Sequence, residues 1–177
     1  MIRTGLFGGS FNPIHKGHIL LAKKLKKEAG LDEVWLMVSP QNPLKQSQEL
    51  LDDEARLEMA REAVKDEKGI VASDYEMHLP KPSYTWNTLE ALRKDFPDRE
   101  FVLMIGGDNW ELFDKWYRAE DIKANYEIVV YTRTPSDEGY IDISSTDIRE
   151  RIKAGKGIKR LVPKAVAELI KARGYYA

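Results

Sequence analysis

Apolar residues along this chain fall into two kinds of segment that alternate. Residues 2–7 read as a first strand bounded by glycines, and short continuous runs occupy residues 34–38 (VWLMV), 101–105 (FVLMI) and 126–131 (YEIVVY), lengths that suit strands. Runs without polar alternation fit strands buried on both faces, as in a parallel sheet covered by helices. Between them, apolar residues recur at helical spacing. Over residues 17–29, Leu21, Ala22, Leu25 and Ala29 share a stripe while Lys23, Lys24, Lys26 and Lys27 lie elsewhere. Over residues 52–66 the stripe is Ala55, Met59, Ala60, Ala63 and Val64, with an acidic first turn that suits the helix dipole. Residues 85–95 and 145–154 are shorter helical candidates. Strand–helix–strand alternation of this kind predicts a doubly wound α/β fold, a parallel sheet with helices on both faces and right-handed crossovers.

Two stretches break the pattern. Residues 39–48 hold two prolines directly after a predicted strand, and residues 79–84 hold Pro80 and Pro82 before a predicted helix, so both read as loops. No internal repeat is evident. The 177 residues suit a single domain spanning residues 1–177, with a small helical extension at about 144–177. That last part differs in charge: from Arg149 onward nine Lys or Arg face only Glu150 and Glu168, a net of +7. Pro163 can sit in the first turn of a final helix whose Val166, Leu169 and Ile170 would face inward.

Composition narrows the chemistry. There is no Cys, which excludes disulfides, thiolate metal sites and a cysteine nucleophile. The net charge of −1 provides no whole-chain field for nucleic acid or an anionic membrane, so neither is an expected partner. Met1 to Phe7 runs at once into glycines, leaving no secretory leader, and no apolar run approaches the roughly 18 residues of a membrane span. A cytoplasmic location is the expectation.

The chemistry concentrates in Gly8-Gly9-Ser10-Phe11-Asn12-Pro13-Ile14-His15-Lys16-Gly17-His18, between the first strand and the first helix. Ligands of open α/β sheets bind at the carboxyl ends of strands, so a site belongs here. Gly8 and Gly9 allow close backbone approach. His15 and His18 stand three apart across the helix start, so both imidazoles can converge on one point, and the helix end itself favours an anion. A metal site would need a further ligand that the sequence does not supply, and there is no HExxH. Neither a GxGxxG fingerprint nor a GxxxxGK[ST] loop can be read. Phosphate binding leads over a metal site and over two histidines buried in the core, for which a glycine-flanked loop is a poor place.

This segment resembles the signature of the HxGH nucleotidylyltransferase superfamily, and more closely that of bacterial nicotinate-mononucleotide adenylyltransferases. Further similarity is spread over nearly the whole chain. Pro43-Leu44-Lys45 resembles the family's proline-rich lysine loop. Pro82-Ser83-Tyr84-Thr85 with Thr88-Leu89 resembles its PSYTxDTL segment, with Asn87 where the family has Asp. Ile105-Gly106-Gly107-Asp108 with Trp116 resembles its GxD…W segment, and Ile143-Ser144-Ser145-Thr146-Asp147-Ile148-Arg149 its ISST-x-x-R.

The resemblance implies a Rossmann-like fold and adenylyl transfer, in which the phosphate of nicotinate mononucleotide attacks the α-phosphorus of ATP and pyrophosphate leaves. The attacking phosphate monoester, with a second pKa of about 6, needs no general base. The site should instead be rich in groups that receive developing negative charge. The catalytic set it implies is His15, His18, Lys45 and Arg149. Arg149 stands one turn after Ser145, on the same helix face. ATP would be met by Gly8, Gly9, Ser10, Phe11, Gly106, Asp108, Arg133, Ser144, Ser145 and Thr146 besides the histidines and Arg149. In this set Asp108 would hold ribose hydroxyls, with a helix N-cap as its plainer role, and Ser144 or Ser145 would cap the helix. Asn12, Lys45, Tyr84, Thr85, Trp116 and Tyr117 would hold the mononucleotide, with Trp116 stacked on the cationic pyridine ring. Mg²⁺ would be bound mainly through ATP phosphates, with no protein metal ligands. A homo-oligomer is compatible with the family.

Trp35, Trp86, Trp110 and His78 read as structural. The alternatives are an adenylyltransferase for nicotinamide mononucleotide or phosphopantetheine and, from another class, a non-catalytic nucleotide- or RNA-binding module.

Overall fold

The computed structural model describes residues 1–41, 50–132 and 143–177. Its elements in chain order are β1 (Ile2–Gly9), α1 (Lys16–Glu28), β2 (Glu33–Val38), α2 (Asp53–Val64), β3 (Ile70–Ser73), α3 (Thr85–Asp95), β4 (Arg99–Gly106), α4 (Gly107–Glu111), α5 (Ala119–Asn125), β5 (Glu127–Tyr131), α6 (Ser145–Lys153) and α7 (Lys164–Arg173). Short 3-10 turns at Tyr75–His78 and Phe113–Lys115 join them. The sheet is parallel throughout, in the order β3-β2-β1-β4-β5. The chain therefore winds outward from β1 in one direction, then returns to its other side. The crevice beyond the carboxyl ends of β1 and β4 lies at this switch point.

Both faces of the sheet are covered, and the strands show why their sequences lack alternation. On β4, Val102 and Met104 join one apolar layer while Phe101, Leu103 and Ile105 join the other. On β2, Val34, Leu36 and Val38 face the first layer and Trp35 and Met37 the second. The first layer is closed by α1, α2, α6 and α7, through Ala22, Leu25, Met59, Ile148, Val166 and Ile170. The second is closed by α3 and α5, through Leu89, Leu92 and Ile122. Trp35 belongs to this second layer, edge-on to Phe96 and Phe101.

Four of the five strands coincide with the anticipated strand segments, and the four anticipated helices and the final one are all present. β3 is the strand the pattern does not announce. It is an edge strand with Ile70 and Ala72 buried and Val71 exposed, too short for a recognisable period. The brief α4 and α5 also carry no clear periodic signal. In α1 the buried stripe includes Ile19 with Ala22 and Leu25, while Leu21 and Ala29 pack at its margin.

The carboxyl-side helices are tied to the rest by polar bonds as well as by packing. Lys16 N donates to Leu161 O at 2.9 Å, which fixes the α6–α7 loop against the start of α1. Arg173 forms a two-pronged ion pair with Glu58 on α2. Gly174 then turns the chain with φ 64°, a left-handed conformation that glycine adopts without a side-chain clash. No helix among the described residues is long and apolar enough to cross a membrane.

Candidate functional site

At the carboxyl end of β1 the chain passes through the residue 10–14 loop into α1, and the two histidines make that entry. His15 is the N-cap: its Nδ1 accepts from His18 N at 3.3 Å, while His15 N donates to His18 Nδ1 at 3.1 Å. This is a capping box built from two imidazoles. Its chemical consequence is a tautomer. A nitrogen that accepts from a backbone amide carries no proton, so each neutral ring holds its proton on Nε2 and is a donor there. The rings stack with centroids 3.6 Å apart and an interplanar angle of 21°. Phe11 packs edge-on to His18 at 4.9 Å. Gly17 is dictated by this stack, since a Cβ there would lie 3.0 Å from His15 Cε1 and Nδ1.

The start of α6 docks onto the same loop. Ser144 is its N-cap, accepting from Asp147 N at 3.0 Å. Ser145 Oγ donates to Pro13 O at 2.9 Å, and Arg149 Nη1 donates to Asn12 O at 2.8 Å. A second arginine, which the sequence reading passed over, holds the loop from below. Arg56 is fully buried on α2 and donates to Ser10 O at 2.8 Å, Ser39 O at 2.7 Å and Leu51 O at 2.8 Å. Its ion pair with Asp53 at 2.6 Å compensates the buried charge. Burial lowers its pKa and Asp53 works against that fall. On sequence Arg56 sits in the middle of an apolar stripe, and only that misplacement of a charge signals it.

Beside this corner lies a cavity of about 250 Å³. Gly8, Gly9, Gly106, Thr85 and Trp116 line it, five of the anticipated residues brought together. Trp116 is half-buried against Phe113, with centroids 5.0 Å apart. Thr85 opens α3, whose N-cap residue Tyr84 makes no side-chain cap bond, so the opening N–H groups of that helix have no side-chain acceptor at the cap. Ser83 Oγ is buried in the same lining and is without a hydrogen-bond partner among the described residues. Glu76 also lines the cavity and receives the Thr88 hydroxyl at 3.1 Å. Burial raises its pKa, while the Thr88 and Ser39 hydroxyls pull the other way. Ser83 stood in the Pro82-Ser83-Tyr84-Thr85 segment without a role of its own, and Glu76, in the short turn at Tyr75–His78, carries no sequence signal.

Other anticipated residues are placed less directly. Phe11 is buried, so it can meet a ligand only through its backbone. Asn12 is likewise buried, with Oδ1 accepting from Leu51 N at 3.2 Å and from the Tyr176 hydroxyl at 2.6 Å. Ser10 is exposed, and Thr146 Oγ1 lies 3.3 Å from Arg149 Nη2. Asp108 is exposed and stands within α4; the cap of that helix is Gly106, which corrects the N-cap reading of Asp108. Tyr84 and Tyr117 are exposed and their rings meet at 5.0 Å. Asn87 is exposed in the first turn of α3, where the family's Asp would favour the helix dipole more. Lys45 and Arg133 lie outside the described residues. Trp86 and Trp110 pack on Arg118 and Lys123 respectively, away from the cavity lining, and His78 pairs with Asp74 at 3.1 Å.

Comparison with known proteins matches this arrangement. The cytidylyltransferase-like family model covers residues 6–151. The "probable nicotinate-nucleotide adenylyltransferase" of Bacteroides fragilis (strain YCH46) is 43% identical over 182 residues, 95% of this chain and 90% of its own length. The protein of that name from Cytophaga hutchinsonii is 41% identical over 190 residues, 99% of each chain. Among solved structures, a candidate nicotinate-nucleotide adenylyltransferase from Vibrio parahaemolyticus superposes with a TM-score of 0.79 at 28% identity, covering 99% of this chain and 96% of its own. Nicotinic acid mononucleotide adenylyltransferase of Plasmodium falciparum, complexed with NaAD, shares the fold with a TM-score of 0.78 at 18% identity, over 99% of this chain and 98% of its own.

Two outcomes follow from the packing. Gly17→Ala should lower Tm even though alanine is favoured over glycine in a helix by about 1 kcal/mol, because the clamped His15 ring cannot yield. A raised Tm would show that the ring moves freely. At Glu76, the folded chain holds a proton more tightly than the unfolded one, so its contribution to stability is lost as pH rises through the raised pKa. Glu76→Gln should therefore raise Tm at about pH 8 and leave it near wild type at about pH 4; an equal offset at both would refute the assignment.

Proposed function

The chain belongs to the cytidylyltransferase-like family, among its nicotinate-nucleotide adenylyltransferases, and from that premise we infer how its residues work. The enzyme transfers the adenylyl group of ATP to nicotinate mononucleotide, giving deamido-NAD and pyrophosphate in NAD biosynthesis. One mononucleotide phosphate oxygen forms the new bond to the α-phosphorus, and the bond from that phosphorus to the bridging oxygen of pyrophosphate breaks. The attacking group is already ionised at neutral pH, so the protein's task is to position and to stabilise charge.

The observation that carries this reading is the pair of imidazoles fixed as Nε2–H donors by their reciprocal cap. Fixed donors stabilise developing phosphate charge without reorganising during the reaction. Arg149, donating to the adjoining Asn12 carbonyl, adds a permanent cation beside them. The start of α6 supplies further N–H groups for the outer phosphates, and Asp108 takes ribose hydroxyls. Lys45 and Arg133 complete the phosphate contacts. The donor set fits a triphosphate better than a metal: both Nδ1 atoms already accept backbone protons. ATP is accordingly taken as its Mg²⁺ complex, with the ion held by phosphate oxygens and water.

The pyridine ring occupies the cavity against Trp116, with Tyr84 and Tyr117 at its side. Its carboxylate meets the opening N–H groups of α3 at Thr85 and the hydroxyl of Ser83. These are donors, which favour the acid over the amide. The cytoplasm, where ATP is made, is the compartment this reaction calls for.

The test is pyrophosphate release with ATP and Mg²⁺, in parallel with nicotinate mononucleotide, nicotinamide mononucleotide and phosphopantetheine. Strong preference for nicotinate mononucleotide is expected; preference for another acceptor would overturn the Trp116, Thr85 and Ser83 assignments, and silence with all three the enzymatic reading. His18→Ala should lower kcat by about two orders of magnitude with the fold intact, as loss of a preorganised donor does. Near-normal turnover in a folded variant would remove His18 from that role.

A further inference from the structure

Beyond α7 the chain doubles back onto the site. Gly174 and Tyr176 both take left-handed backbone conformations, with φ of 64° and 65°. The second is unfavourable for a residue with a side chain and persists only where the surroundings fix it. Here they do: Tyr175 and Tyr176 pack against the first apolar layer, and the neighbouring Arg173 is held by Glu58. The Tyr176 hydroxyl is thereby brought to Asn12 Oδ1 at 2.6 Å, across 164 positions of sequence. Burial pushes its pKa up, although Arg56 and Arg149 nearby oppose this, so the phenol remains a proton donor at neutral pH.

Asn12 is the junction. Its Oδ1 receives the Leu51 N–H and the Tyr176 O–H, and its own carbonyl receives Arg149 Nη1 at 2.8 Å. The side chain therefore fixes the peptide that orients the guanidinium. Losing the phenol hydroxyl would remove the shorter of these two bonds, 2.6 Å against 3.2 Å. The peptide could then tilt, and the guanidinium with it.

We propose that Tyr176 is a positioning residue for Arg149, acting through Asn12 to hold the guanidinium at the histidine corner. This rests on the reading that Arg149 contacts the ATP phosphates. It makes the segment after α7 part of the catalytic apparatus without bringing it to the substrate.

The experiment compares Tyr176→Phe, Arg149→Ala and the double variant, reading kcat, KM for each substrate and Tm. Tyr176→Phe should lower kcat/KM for ATP by about tenfold, the scale expected of a sub-ångström misplacement, with the mononucleotide KM unchanged. In the Arg149→Ala background the same change should have no further effect. Asn12→Ala cuts the link from its other end and should reproduce the loss, which keeps the test decisive if Tyr176→Phe folds poorly. An active Tyr176→Phe beside a crippled Arg149→Ala overturns the proposal alone, as does a Tyr176→Phe loss that multiplies with that of Arg149→Ala. An unimpaired Arg149→Ala overturns the underlying role of Arg149 and the proposal with it.

Discussion

The loop between β1 and α1 brings polar backbone to the carboxyl end of the sheet, and on the proposed reading, a site for phosphates, its carbonyl oxygens are the wrong charge for the task. The structure removes three of them by giving each a donor from a remote part of the chain. Ser10 O is taken by Arg56, Asn12 O by Arg149 and Pro13 O by Ser145. Three elements, α2, α6 and the loop itself, become one unit through bonds that also neutralise a local concentration of negative dipoles. Buried carbonyls without such partners would each cost on the order of 1–3 kcal/mol. The loop cannot relax to another conformation without abandoning several of these bonds together.

The same economy appears at the helix start. An ordinary cap would use a Ser or Asp side chain to satisfy the first amides, and its chemistry would end there. Here the caps are imidazoles, each spending one nitrogen on the backbone and keeping the other as a donor. Stability uses one edge of each ring and leaves the other edge available to a ligand. Stacking at 3.6 Å with glycine between the two histidines follows from that double use, because no larger residue leaves room for the His15 ring.

This explains which parts of the molecule could be read from sequence. The strands and major helices were legible because each is covered by apolar neighbours on a regular period, and β3 was not because an edge strand of four residues buries only alternate positions. The histidines, Trp116 and Arg149 were legible as a motif. Their supports were not: Arg56 and Tyr176 act through contacts between segments far apart in sequence. Asn12 is the instructive middle case. Its place in the motif marks it, yet its amide oxygen faces Leu51 and Tyr176, which no local spacing could reveal.

The cavity poses one electrostatic question that its residues also answer. It contains Glu76, and an anionic ring substituent entering beside an ionised carboxylate would be repelled. Burial raises the pKa of Glu76, so this carboxyl holds its proton more readily than an exposed one. A carboxyl that holds its proton more readily competes less with the uncapped start of α3 and the Ser83 hydroxyl, the donors on the same lining. Burial thus works against the charge that the cavity's own carboxyl would set against an entering anion.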